Sequence, residues 1–426
     1  MLSAVLLCRC SQPLRVAPSK LLVNGTQTRI ITRELITPAR YNNGFGLKSR
    51  GLRIRELVKS NGILARFCSS TPKPKTSKVV GYWLLGCSGM VFTAVVLGGV
   101  TRLTESGLSM VTWRLLGETL PRSEEEWQQE FVKYQQYPEF KYKNQHMTLS
   151  EFKWIWWMEY AHRSWGRAIG AAVFLPAAVF WLRGHLDRGM KVRVGAYCAL
   201  VAAQGLMGWY MVKSGLEDRF EGPSDVPRVS QYRLAAHLSL AFVLYTGLLA
   251  GALRVLRPFP PTALARVDGL RGVTAFAHTV KAMAFITAVS GAFVAGLDAG
   301  LVYNSFPKMG DRWVPEDVLA LRPALRNLTE NPTTVQLDHR VLGTATLAAA
   351  SALWLRARRA PLSPAARRVA HAVGAMAWLQ VGLGVMTLLH YVPTPLAASH
   401  QSGSLVLLSL AVWLTHEIKL LKYIPK

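Results

Sequence analysis

The sequence predicts an all-α membrane protein in which eight transmembrane helices form two four-helix bundles related by a pseudo-twofold axis. Three observations predict this fold. Half of the 426 residues are hydrophobic. They gather in eight blocks of roughly 20 residues, the length that crosses a bilayer core. Motifs of the first four blocks recur, in the same order, in the last four. Lipid accepts only structures that satisfy their own backbone hydrogen bonds, which favours helices for such blocks.

The segment before the first block, residues 1–68, is predicted to be a mitochondrial transit peptide. Up to residue 70 the chain has twelve Lys and Arg but only two acidic residues, Glu34 and Glu56. This composition, without a long apolar core, is typical of a transit peptide rather than of a secretory signal. The alternative is a disordered basic tail that binds membrane or nucleic acid. No aromatic or repeat pattern favours a nucleic-acid partner, so none is expected.

The eight blocks divide into an N-terminal half, residues 79–254, and a C-terminal half, residues 272–416. Each half holds four predicted spans that are separated by short polar or basic stretches. In chain order the spans are Val79–Val100, Trp154–Leu182, Val192–Val212, Tyr232–Leu253, Gly272–Gly296, Gln336–Leu355, Val369–His390 and Leu396–Thr415.

Charge in the loops predicts the orientation of these spans. The loops after spans two, four and six contain thirteen Lys and Arg against two acidic residues, Asp187 and Asp268. The loops on the opposite side carry acidic runs such as Glu124–Glu126. Because an excess of Lys and Arg marks the loops on the inner side of a membrane, we expect both termini to face the matrix of the mitochondrial inner membrane.

Three motifs recur in the two halves. An even number of spans per half makes these parallel repeats, which are related by an axis along the membrane normal. The matched pairs are His162-Arg163-Ser164-Trp165-Gly166 with His339-Arg340-Val341-Leu342-Gly343, Gln204-Gly205-Leu206-Met207-Gly208 with Gln380-Val381-Gly382-Leu383-Gly384, and His237 with His400.

Four of the ten histidines lie within the first two turns of even-numbered spans, and therefore at similar depth. They are His162, His237, His339 and His400. Two imidazoles that face each other within one half can supply both axial nitrogens of a haem. The alternative for any single histidine is a hydrogen bond across helices. The shared depth and repeat position favour haem. Arg163 and Arg340 follow two of these histidines and are candidates to pair with haem propionates.

One acidic residue also belongs to this pattern. Glu159 precedes His162 by three residues and shares its helix face. It can accept a proton beside a bound substrate, or it can simply pair with Arg163 or Arg102. A di-iron site would need a second Glu-x-x-His, which the matching Gln336-x-x-His339 does not provide.

These residues resemble the haem A synthase family over the region from Lys78 to the C-terminus. The specific strings are Glu159-Tyr160-Ala161-His162-Arg163 and Thr101-Arg102-Leu103-Thr104-Glu105-Ser106-Gly107-Leu108-Ser109. Bacterial members can carry a cysteine pair in an outer loop. This chain has none there, so no thiol-based step is expected.

The resemblance implies oxidation of a ring methyl of haem O to a formyl group, which gives haem A for cytochrome c oxidase. It implies a resident haem b on His339 and His400, substrate haem on His162 and His237, and Glu159 acting near the methyl. It also implies haem O synthase as supplier and a ferredoxin with its reductase as electron donors; a homo-oligomer remains open. The rival functions are a two-haem b-type membrane cytochrome that only transfers electrons, and a haem-binding assembly chaperone.

Overall fold

The computed structural model describes residues 76–217, 227–259 and 269–421. The predicted transit peptide, residues 1–68, lies outside them. Within the described ranges all regular elements are helices, apart from a single bridge between Met309 and Arg312. The predicted all-α class is therefore confirmed.

Eight long helices, α1 to α8, follow the eight predicted spans in order. Six of them are long and apolar enough to cross a membrane. The exceptions are α3 and α6. The helices are α1 Lys78–Leu103, α2 Leu149–Leu182, α3 Arg188–Leu216, α4 Gln231–Leu256, α5 Leu270–Gly296, α6 Pro332–Arg359, α7 Pro364–Leu389 and α8 Thr394–Leu421.

Helices α3 and α6 are as long as the others but more polar. Basic residues occupy the first turns of α3 and the last turn of α6. Helix α6 also carries Asp338, His339 and Arg340 in succession. The polar side chains lower the average hydropathy of a stretch that still has the length of a span.

Side-chain caps define several helix starts. The hydroxyl of Thr148 accepts from the backbone N–H of Glu151, whose carboxylate accepts from the backbone N–H of Thr148 at the start of α2. The Asp187 carboxylate accepts from the backbone N–H of Met190, 2.8 Å away, in α3. These bonds satisfy donors that the first helical turn leaves unpaired.

Within each half the long helices pack in a closed ring. Each of α1 to α4 contacts the next helix, and α4 also packs on α1. The helices α5 to α8 repeat this order. Between the halves, α1 and α4 lie against α8, and α4 also contacts α5. The Gln401 amide donates to the Val95 carbonyl at 3.0 Å across this boundary, and Tyr245 bonds Ser409 at 2.6 Å.

A proline in the interior of α2 leaves one backbone carbonyl without its helical donor. Pro176 has no N–H, so it cannot bond to the carbonyl of Ala172. That carbonyl accepts from the Trp83 indole N–H of α1 at 2.7 Å and from the Cys87 thiol at 3.6 Å. Neighbouring helices are the usual source of such replacement donors in a membrane.

We expect Trp83→Phe to destabilise the protein by about 1–3 kcal/mol because it removes the stronger of the two donors to Ala172. The penalty should shrink in the background Pro176→Ala, where the helix supplies its own N–H. A double-mutant cycle on detergent-solubilised protein, followed by unfolding in a denaturing detergent, measures this coupling. Additive effects of the two substitutions would contradict the assignment.

The segment between α1 and α2 forms an aromatic cluster with the first turns of α2. Its short helices are Glu124–Gln135, which packs on α2, and Pro138–Tyr142, which contacts the first short helix and α3. The buried members are Met110, Trp127, Phe131, Tyr134, Phe152, Ile155 and Trp156.

A carboxyl group is buried beside this cluster. Glu139 is 5% exposed, and its Oε2 accepts from the Tyr134 hydroxyl at 3.0 Å. The Asn144 amide donates in turn to the Tyr134 oxygen at 2.7 Å. Burial raises the pKa of Glu139 from 4.5 to about 8, and the bond from Tyr134 and the charge of Lys143 only partly oppose this.

The free energy of unfolding should therefore fall as the pH rises from about 4.5 to about 8. In that window the folded protein keeps the Glu139 proton, whereas the unfolded chain releases it. Thermal unfolding between pH 5 and pH 8 measures the slope, and Glu139→Gln should flatten it. Glu130→Gln, at a partly exposed position of the same segment, is the control. An unchanged slope in Glu139→Gln would refute the assignment.

Candidate functional site

The imidazoles of His339 on α6 and His400 on α8 face each other inside the C-terminal half. Their ring centres are 6.2 Å apart, and their planes cross at 87°. Metal–imidazole bonds are about 2 Å long, so a metal held between two opposed ring nitrogens places the ring centres about 6 Å apart. The spacing fits a six-coordinate haem iron with two histidine ligands.

Hydrogen bonds orient both rings for this role. The Nδ1 of His339 lies 2.7 Å from the Ser290 hydroxyl, which itself donates to the Thr287 carbonyl and so accepts from the ring. The Nδ1 of His400 lies 3.1 Å from both the backbone carbonyl oxygen and the side-chain amide nitrogen of Gln380, and it donates to the carbonyl when it carries the ring proton. When Nδ1 carries the proton, Nε2 keeps the lone pair that a metal needs.

Each of the four histidines packs on a glycine of a neighbouring helix, and this arrangement leaves no room for a larger residue. A Cβ built on the glycine would lie 3.3 Å or less from the ring, which is closer than side chains normally approach. The pairs are Gly98 with His162 at 3.0 Å, Gly208 with His237 at 3.3 Å, Gly291 with His339 at 3.1 Å and Gly384 with His400 at 2.8 Å.

The N-terminal half repeats this arrangement with a looser second histidine. His162 on α2 and His237 on α4 are close enough to interact electrostatically. The Gln204 amide donates to the His237 carbonyl at 3.0 Å, as Gln380 does to His400 at 2.7 Å. Unlike the His400 ring, however, the His237 Nδ1 is buried with no hydrogen-bond partner in the described part of the chain.

Glu159 lies one turn before His162 and is 2% exposed. Its Oε2 accepts from the Ser109 hydroxyl at 2.7 Å and from the Met110 N–H at 2.8 Å. Its Oε1 accepts from Arg163 at 2.6 Å. Arg163 also donates to the carbonyls of Met110 and Thr112. The pairing of Glu159 with Arg163, which the sequence allowed, is present, and both residues hold the loop that follows α1.

The matching position in the C-terminal half carries an amide. Gln336 lies one turn before His339, and its Oε1 accepts from Arg340 at 2.9 Å. Arg340 also donates to the Tyr303 carbonyl at 3.0 Å. The two halves therefore share a His-Arg pair with a polar residue one turn earlier, but only the N-terminal half places a carboxylate there.

Other histidines form hydrogen bonds with nearby groups. His371 accepts from the Trp354 indole at 2.7 Å, and His416 bonds the Arg257 carbonyl at 3.0 Å. Among the described residues no three His, Cys, Asp or Glu side chains gather as a metal-ion site would require.

No role was predicted from the sequence for Ser109, for Ser290 or for the four glycines. The Gln204 and Gln380 motifs marked two of these glycines, because each motif ends on the glycine that faces a histidine. The two serines give no comparable signal, since a serine in a helix or loop bonds most often to its own backbone.

Comparison with known proteins gives consistent matches. The sequence matches the family COX15-CtaA, described as cytochrome oxidase assembly protein, over residues 81–412. Heme A synthase COX15 of Bos taurus is 58% identical over 351 residues, which are 82% of this chain and 84% of that protein. The protein of that name in Arabidopsis thaliana is 49% identical over 364 residues, 84% and 79% of the two chains. Heme A synthase of Nitrosospira multiformis is 44% identical over 343 residues, 80% and 94% of the chains.

We expect Gly384→Val to lower the haem bound per protein, because the new side chain must push the His400 ring away from His339. Gly382→Val is the matched control on the same helix, since a Cβ there has nothing within 4 Å. Haem content is measured by absorbance of the purified protein in detergent. Equal haem content in the two variants would show that the close approach of Gly384 is not needed.

Proposed function

The chain belongs to the COX15-CtaA family of cytochrome oxidase assembly proteins, and from this membership we propose that it is a haem A synthase, an oxidoreductase that acts on haem O. The relatives that carry this name match more than three quarters of the chain. The reaction oxidises a ring methyl of haem O to a formyl group by successive hydroxylation. Its class is oxidation of CH or CH2 groups.

The C-terminal half holds a resident haem b, with His339 and His400 as iron ligands. Support comes from the 6.2 Å spacing of the rings and from the hydrogen bonds that keep both Nε2 atoms available. The iron supplies one-electron transfer when it is bound. Arg340, beside His339, has a buried Nε without a partner among the described residues and is the candidate to bond a propionate.

The N-terminal half receives haem O between His162 and His237. A substrate has to enter and leave. The His237 Nδ1 has no hydrogen-bond partner among the described residues, which supports a ring that is held less firmly than His400. Substrate arrives through the lipid, since a farnesyl tail suits delivery from within the bilayer, with haem O synthase as the supplier.

The proposal rests on one difference between the two halves. Glu159 of the N-terminal half is replaced by Gln336 at the equivalent position of the C-terminal half. One repeat presents a buried carboxylate one turn from its histidine, and the other presents an amide in the same place. A carboxylate can accept a proton or stabilise positive charge that develops on a substrate, whereas an amide cannot take up a proton. Glu159 therefore acts beside the methyl group, with Ser109 and Arg163 as positioning residues.

All eight long helices cross the mitochondrial inner membrane, as two bundles related by the sequence repeat. The two polar helices, α3 and α6, can cross because most of their basic residues lie in their terminal turns, next to the basic loops. The basic loops and both termini face the matrix, where a ferredoxin and its reductase deliver electrons. Support for this orientation is the charge bias of the loops.

The rival is a two-haem cytochrome that only transfers electrons. It would use four histidines equally well, and it would leave Glu159 only the structural role of holding Arg163 and the loop after α1. A chaperone that binds haem passively would leave Glu159 the same structural role. Product analysis separates all three, because only the enzyme changes the porphyrin.

We expect Glu159→Gln to abolish haem A in extracted membranes, while the haem of the C-terminal half stays bound. Glu151→Gln, an exposed cap on the same helix, is the control and should leave haem A unchanged. Extracted haems are separated by chromatography and compared with membranes that lack the protein. Normal haem A in Glu159→Gln would remove this carboxylate from the reaction; unchanged haem composition with and without the protein would refute the enzyme.

A further inference from the structure

One carboxylate of the C-terminal half holds two guanidinium groups of the N-terminal half. The Asp298 Oδ1 lies 2.6 Å from Arg102 Nη2, and its Oδ2 lies 3.2 Å from Arg228 Nη1. Asp298 follows the end of α5, Arg102 belongs to the last turn of α1, and Arg228 precedes α4. The cluster has two positive charges and one negative charge.

This cluster lies at the end of the N-terminal histidine pair. Gly98, which faces the His162 ring, is one turn before Arg102 on the same helix. Residues four apart share a helix face and are separated by about 6 Å along the axis. Arg228 leads into α4, which carries His237. Both arginines therefore flank the space between the two histidines on one side.

The cluster has unused capacity for an anion. The Nε of Arg102 is buried and has no acceptor in the described residues. The Arg102 side chain is 18% exposed and that of Asp298 is 41% exposed, so the carboxylate is the group nearer to water. A buried donor without a partner is unfavourable, and an additional carboxylate oxygen would satisfy it.

The arginine next to His162 is already occupied. Arg163 donates to Glu159 and to two backbone carbonyls, so its terminal nitrogens are engaged within the protein. A haem between His162 and His237 therefore needs another positively charged side chain near its propionates. Arg102 and Arg228 are placed to provide this charge.

We infer that Arg102 and Arg228 bind the propionate carboxylates of the haem substrate, and that Asp298 is the counter-ion which those carboxylates displace. The inference rests on the proposed function, since it takes the N-terminal half as the substrate site. Exchange of one carboxylate for another keeps both guanidinium groups paired throughout. The displaced Asp298 turns to water, where it is already partly exposed. Entry of the substrate then separates a contact between the two halves.

The test is a titration of the detergent-solubilised full chain with two probes, haem B and its dimethyl ester, in which both propionates are blocked. The absorbance change of the N-terminal site is the phase that His162→Ala removes. Arg102→Gln should weaken binding of haem B at least tenfold and leave the ester unchanged. Asp298→Asn should strengthen binding of haem B several-fold and again leave the ester unchanged.

Arg312→Gln is the control, because Arg312 pairs with Glu316 at an exposed position of the loop after α5. It should alter neither titration. If Asp298→Asn instead weakens both probes equally, the cluster is a structural link and the inference is wrong. If Arg102→Gln weakens binding of both probes equally, Arg102 does not bind the propionate carboxylates. The titration measures haem binding and not product formation. A failure of the proposed enzyme activity would appear separately, in the haems extracted from membranes.

Discussion

The distance between opposed imidazoles is the constraint on which the arrangement of the long helices depends. His339 and His400 keep their ring centres 6.2 Å apart only if the helices behind them stay at a set separation, and the proposed haem site depends on this distance. Glycines 208 and 384 let α3 and α7 approach the rings of His237 and His400 directly. Because interiors are close-packed, a larger residue at these places would move the imidazole and not the helix alone.

Repetition of one scaffold allows two different uses of the same geometry. Both halves keep the histidine pair, the glycine that faces each ring and the glutamine that bonds the backbone of the second histidine. They differ in the residues around this frame. A carboxylate stands at 159 where an amide stands at 336. Among the described residues the His237 Nδ1 has no hydrogen-bond partner, whereas the His400 Nδ1 is bonded. In the function proposed above, such differences would separate a site that exchanges its haem from a site that retains it.

Much of this architecture was predictable because a bilayer makes length and polarity decisive. The eight long helices follow the predicted spans, and the four histidines lie on the even-numbered helices α2, α4, α6 and α8. Because α2 begins before its predicted span, His162 lies in its fourth turn and not in its first two. Helices α3 and α6 show the limit of this reasoning, since their hydropathy alone would not mark them as spans.

The partners of the site residues could not be predicted, because they come from distant parts of the chain. Ser290 meets His339 across 49 positions, and Asp298 meets Arg102 across 196. Such pairs depend on how helices rotate in the bundle. The aromatic cluster formed with the first turns of α2 was not predicted, for a related reason. Its side chains come together only when the segment between α1 and α2 folds back on α2.

The interior proline of α2 makes this helix differ from α6, which occupies the matching position in the other half. Bending α2 near Ala172 breaks no backbone hydrogen bond, because Pro176 has already removed it and the Trp83 indole has taken its place. Helix α6 has its proline only in the first turn, so its helical ladder continues unbroken beyond His339. Helix α2, which carries His162 and Glu159, therefore depends at its middle on a side chain of α1, whereas α6, which carries His339, does not.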